Sequence, residues 1–73
     1  MESYYLESSD PLAEVEDFHT YREAVDRAKE IATELRAEGY EVDASLASRR
    51  NMYAFKATKA GSRTITVQIN DEE

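Results

Sequence analysis

The side chains with the greatest chemical reach in this chain are one imidazole, a row of carboxylates and a pair of guanidiniums. His19 is the sole histidine. An imidazole works as a general acid or base only with a nucleophile or a metal beside it. Ser8 and Ser9 lie upstream, but no Gly-x-Ser-x-Gly elbow surrounds them. His19 directly precedes Thr20, a helix-capping residue, where its ring suits packing onto Ala24. Glu30, Glu34 and Glu38 recur every fourth residue, with Asp26 one step earlier. Paired carboxylates perform glycosidase chemistry or hold a hard cation where burial separates their pKa values. Here Arg22, Arg27, Lys29 and Arg36 accompany them, and the row reads as a solvated mixed-charge face. Arg49 and Arg50 sit in the turn Ser48-Arg49-Arg50-Asn51. Two guanidiniums at a hairpin tip suit phosphate or carboxylate, and equally serve as a charged turn that discourages aggregation.

The exclusions are broader. There is no Cys, hence no disulfide, thiolate nucleophile or Cys-based zinc site. Two Gly residues cannot build a phosphate cradle, and no EF-hand, P-loop or dinucleotide pattern occurs. The expectation is a non-enzyme with no catalytic residue, cofactor or metal.

The elements that must position these groups follow from periodicity. The 73 residues allow one domain, with roughly 3–5 kcal/mol of stability available from its core. Residues 3–7 read as a short edge strand with Tyr4 and Leu6 inward. Residues 8–19 read as a loop, with a single helical turn over 12–15 after Asp10-Pro11. Thr20-Tyr21-Arg22-Glu23 fits a capping box. Tyr21, Ala24, Val25, Ala28, Ile31, Ala32 and Leu35 then form one apolar stripe, predicting a helix over 21–38 that Gly39 ends. Three alternating strands follow at 40–46, 52–58 and 63–70. Their inward residues are Tyr40, Val42, Ala44 and Leu46, then Tyr53, Phe55 and Ala57, then Ile65, Val67 and Ile69. Gly61 supplies the positive φ of the second turn. The predicted fold is α+β, a two-layer β-α-β-β-β arrangement with one amphipathic helix on a small, mainly antiparallel sheet. A right-handed crossover would set the first strand parallel to the strand at 40–46.

Charge is unevenly spread. Residues 1–21 hold six acids and no base, residues 44–70 hold five bases and no acid, and the chain totals −7. The tail Asp71-Glu72-Glu73 closes it. No apolar run nears the ~18 residues of a membrane span and no basic-then-apolar leader opens the chain, so the cytoplasm is the expected location. In size, layout and charge the chain resembles the small acidic α+β proteins of phages and archaeal mobile elements. That resemblance implies an inhibitor of a nucleic-acid-binding protein.

Three functions are compatible with these residues. The first is a protein-interaction module whose acids Glu2, Glu7, Asp10, Glu14, Glu16 and Asp17 meet a basic protein surface, with Tyr4, Tyr5 and Tyr21 as aromatic anchors. The second is a nucleic-acid contact by the basic meander through Arg49, Arg50, Lys56, Lys59 and Arg63, which the acidic bulk opposes. The third is a structural domain of a salt-adapted organism. Self-association as a homodimer would stabilise so small a domain.

Overall fold

The computed structural model describes residues 3–10, 14–44 and 52–71. One helix packs on one face of a five-stranded antiparallel sheet. In chain order the elements are β1 (Tyr4–Ser8), β2 (Glu16–Phe18), α1 (Tyr21–Ala37), β3 (Glu41–Asp43), β4 (Ala54–Thr58) and β5 (Ile65–Asp71). The sheet order is β2-β1-β5-β4-β3. The α+β class and the two layers agree with the sequence reading.

Alanines govern how closely helix and sheet approach. Ala24, Ala28 and Ala32 recur every four residues and are buried on α1, so the backbone can settle on the sheet. The bulk comes from the strands: Phe55, Leu6, Ile69 and Val67 are the largest fully buried side chains. Val25, Ile31 and Leu35 pack around that cluster from the helix, and Tyr40, Val42, Tyr53 and Ile65 from the sheet side.

Both helix ends are tied as their residues dictate. Thr20 has extended backbone and its hydroxyl oxygen accepts from the Glu23 amide at 3.2 Å. The same hydroxyl donates to the Glu23 carboxylate at 3.0 Å, so the reciprocal contact of the capping box uses the side chain of Thr20. At the other end the Tyr40 amide donates to the Leu35 carbonyl and the Gly39 amide to the Arg36 carbonyl, each at 3.0 Å. These are the two bonds of a Schellman motif, with Gly39 at φ 97°. Glu38 caps the helix, which ends at Ala37.

The first strand departs from its expected partner. β1 runs antiparallel to β5, with Leu6 opposite Ile69 and Ser8 opposite Val67. Two strands, β5 and β4, separate it from β3. In a β3-β4-β5 meander the outer edge of β5 is open, and β5 is the longest strand. Pairing β1 there satisfies that edge and lays Leu6 beside Ile69 in the core. The 8–19 loop also contains a strand: β2 pairs with β1, setting Phe18 opposite Tyr4 and Glu16 opposite Leu6. Glu14 and Val15 adopt no regular structure, and the remainder of the expected turn at 12–15 lies outside the described residues. Of the strand expected over 40–46, Glu41–Asp43 is regular and Ala44 is exposed rather than inward, while Ser45 and Leu46 lie outside the described residues. Met52, which strict alternation with inward Tyr53, Phe55 and Ala57 would set on the outer sheet face, packs against the core. Asp71 is the last residue of β5, opposite Tyr4, and is not part of a tail.

Candidate functional site, an acid-rimmed groove

A groove of about 520 Å³ opens beside the C-terminal half of α1, over the ends of β1 and β5. Its floor is aliphatic: Leu6, Val67, Ile31, Leu35 and Ile65. Its rim carries Asp10, Glu14, Glu16, Glu34 and Glu38, with Arg27 as the one cation lining it. Five carboxylates against one guanidinium give these residues a formal charge of −4.

Each part of the rim has a local cause. The Ser9 amide donates to the Thr66 carbonyl at 2.9 Å, and the Thr66 amide donates to the Ser9 hydroxyl at 2.9 Å. The Asp10 amide donates to the Ser8 hydroxyl at 3.2 Å. The chain leaving β1 is thereby held to β5 at Ser9, and Asp10 is turned back onto Ser8. Glu14 leads into β2, whose pairing with β1 fixes Glu16 opposite Leu6 on the helix-facing side. Glu34 and Glu38 stand one helical turn apart, which places both on one side of α1.

Arg27 joins helix and sheet electrostatically. Its Nε–H is shared between the two Glu16 carboxylate oxygens, each at 3.2 Å. Its Nη1 reaches Glu30 at 3.4 Å and Glu34 at 3.6 Å. The Glu16 hydrogen bond is the main cause of a guanidinium pKa raised above its already high ordinary value. One cation thus serves three carboxylates. Among the described residues, Glu14 and Glu38 have no basic side chain within ion-pair distance.

The remaining acids and aromatics of the first sequence reading lie elsewhere. Tyr5, Glu7 and Asp17 occupy the face of the sheet away from α1, where Glu7 accepts from the Gln68 side chain at 3.0 Å. Tyr4 and Tyr21 pack on each other with ring centroids 5.8 Å apart. The Tyr21 hydroxyl accepts from the Tyr53 amide at 2.7 Å. This pair pins the start of α1 to the sheet. Glu2 lies outside the described residues.

Among the described residues, Lys56, Lys59 and Arg63 do not converge on one site. Lys56 is exposed on the outer face, opposite Asp43 and Thr66. Lys59 donates to the Glu38 carbonyl at 2.8 Å and sits 5.4 Å from the Tyr40 ring centroid. It completes the helix C-terminus, where a cation meets the negative end of the dipole. Arg63 is exposed beyond the Gly61 turn. Arg49 and Arg50 lie outside the described residues.

His19 is exposed. No helix among the described residues is long and apolar enough to cross a membrane. Sequence reasoning found Asp10, Glu14 and Glu16 as acids but did not join them to Glu34 and Glu38. The missing signal was β2, a three-residue strand with a single apolar side chain. Comparisons of the chain with protein-family models, with curated proteins and with solved structures return no match.

Proposed function

We propose that the protein is a non-enzymatic interaction module that engages a basic protein surface through the acid-rimmed groove. The observation that carries this reading is the convergence of five carboxylates, from three separate parts of the chain, around one aliphatic floor. Rim carboxylates above an apolar floor keep their field in the low-dielectric cleft, which attracts cations and repels phosphates. A partner of this charge is the kind that itself holds nucleic acid, so inhibition of such a protein by occupying its basic surface is the role consistent with the module.

The test compares two double variants of equal charge. Glu14→Gln/Glu38→Gln alters the groove rim, and Asp17→Asn/Glu41→Gln alters exposed positions away from it. Basic proteins cross-linked by the native chain from a lysate should be lost with the first variant and kept with the second. Equal loss with both would reduce the binding to bulk charge. An electrophoretic shift series with duplex DNA, single strands and RNA at ~50 mM salt probes the alternative, because phosphate affinity is greatest at low salt. Binding there that disappears in Arg49→Ala/Arg50→Ala would replace the protein partner by nucleic acid.

A further inference from the structure

We infer that the groove takes a short basic peptide segment with one large apolar side chain between Lys or Arg residues, rather than the flat face of a folded partner. This inference rests on the interaction reading above and names the chemistry of the partner.

The floor sets the first requirement. Leu6 and Val67 are buried beneath the groove, while Ile31, Leu35 and Ile65 remain half-buried around it. Three branched side chains turned toward one concavity leave aliphatic surface in contact with water. A leucine- or phenylalanine-sized group entering there removes that surface from solvent. The volume, about 520 Å³, falls in the range of small-ligand sites and holds a few side chains, not a secondary-structure element.

The rim sets the second requirement. Arg27 already faces the three carboxylates of Glu16, Glu30 and Glu34, so its single charge does not offset Glu14 or Glu38. Those two come from separate elements, one leading into β2 and the other at the end of α1. An occupant therefore meets uncompensated carboxylates from two elements around an apolar centre, which an apolar side chain flanked by basic ones matches.

Other occupants fail one requirement each. An acidic peptide or a phosphate chain is repelled by the rim. An apolar molecule leaves the rim carboxylates crowded and drier without a counter-charge. A polyamine carries charge along its stem, so lying across the groove strips water from an ammonium over the aliphatic floor. A second copy of the chain brings a formal −7 toward an acidic rim. A peptide separates the two chemistries because its side chains diverge from the backbone.

The probe is a fluorescein-labelled Lys-Arg-Phe-Arg-Lys peptide, titrated with the full chain at ~50 mM KCl, low enough to leave charge contacts weakly screened. Lys-Arg-Ser-Arg-Lys and spermine are the comparisons. The Phe peptide should bind about tenfold more tightly than the Ser peptide, as expected for one apolar side chain entering a pocket. Amide shifts should centre on Leu6, Ile31, Leu35, Ile65 and Val67. Glu14→Gln/Glu38→Gln, both exposed positions, should weaken the Phe peptide several-fold with an unchanged circular dichroism spectrum. Equal affinity for the Phe and Ser peptides, both weakened by that variant, overturns the anchored segment and leaves the acidic interaction reading standing. Failure of every cationic probe to bind overturns both. Spermine binding as tightly as the Phe peptide, or dimers by sedimentation that the Phe peptide dissociates, would assign the groove to a polycation or to a second copy and overturn the inference.

Discussion

Arg27 couples stability to binding in opposite directions. It is about one-third exposed, like Glu16, and one Nε–H bifurcates between two oxygens where a guanidinium fork would offer two donors. Partly exposed pairs of this kind contribute about 0.2–1 kcal/mol. Arg27→Gln should therefore lower the melting temperature by several degrees, at about 4–8 °C per kcal/mol for a domain of this size. The same change makes the formal charge of the groove lining −5, so a cationic peptide should bind more tightly. Calorimetric melting and anisotropy on one sample check both halves, and a variant that loses stability and affinity together would show Arg27 to be structural only. Its raised pKa also has a sign. The contribution is complete below the ordinary guanidinium value and lost only as pH rises through the folded one. Between about pH 5 and 9 this group should contribute no pH dependence to stability.

Among the elements, α1 depends on the turn that ends it. Gly39 has φ 97° and Gly61 φ 81°. A Cβ at Gly39 would meet the Lys59 Cε at 3.6 Å, an ordinary contact, and one at Gly61 would meet nothing within 4 Å. Both substitutions are therefore limited by backbone conformation rather than space. Gly39→Ala and Gly61→Ala should each cost about 1–2 kcal/mol, measured by urea unfolding with an unchanged slope. A much larger cost at Gly39 would mean that the Lys59 contact with the Glu38 carbonyl is displaced as well. On the sheet, Phe55 is fully buried. Phe55→Ala should cost about 3–5 kcal/mol, comparable with the whole ~3–5 kcal/mol available to so small a core. That variant should be largely unfolded at 25 °C by circular dichroism, whereas a folded Phe55→Ala would place the bulk of the stability outside the helix–sheet core.

For the whole molecule, charge works against compactness. Residues 1–43 carry thirteen acids against four bases. Salt screens that repulsion and also weakens the Arg27 contacts. Repulsion is the larger effect, because many like charges are screened against one half-exposed network. The melting temperature should therefore be higher at ~1 M KCl, where the Debye length is ~3 Å, than in dilute buffer. A melting temperature that stays flat or falls would remove charge repulsion as a factor. A rise would also fit the salt-adapted reading, which the paired groove and off-groove variants separate from a binding role.

Local pattern alone determined the helix, its Thr20 cap, its Gly39 stop and the alternation that sends Phe55, Val67 and Ile69 inward. Each depends on residues within a few positions of one another, where spacing and side-chain type carry the physics. It also determined that Tyr4 and Leu6 face the core. The partner of β1 was decided by tertiary structure, since the choice turns on which strand edge lies open once the meander has formed. So was β2: three residues with one apolar side chain show no period, and their strand conformation is set by pairing with β1. The groove is a consequence of these two events. They bring Glu14 and Glu16 to the same groove as Glu34 and Glu38, and no spacing along the chain records that meeting. Lys59 illustrates the same division. Its charge is plain in the sequence, yet its attachment to the Glu38 carbonyl arises only where the Gly61 turn and the end of α1 are packed side by side.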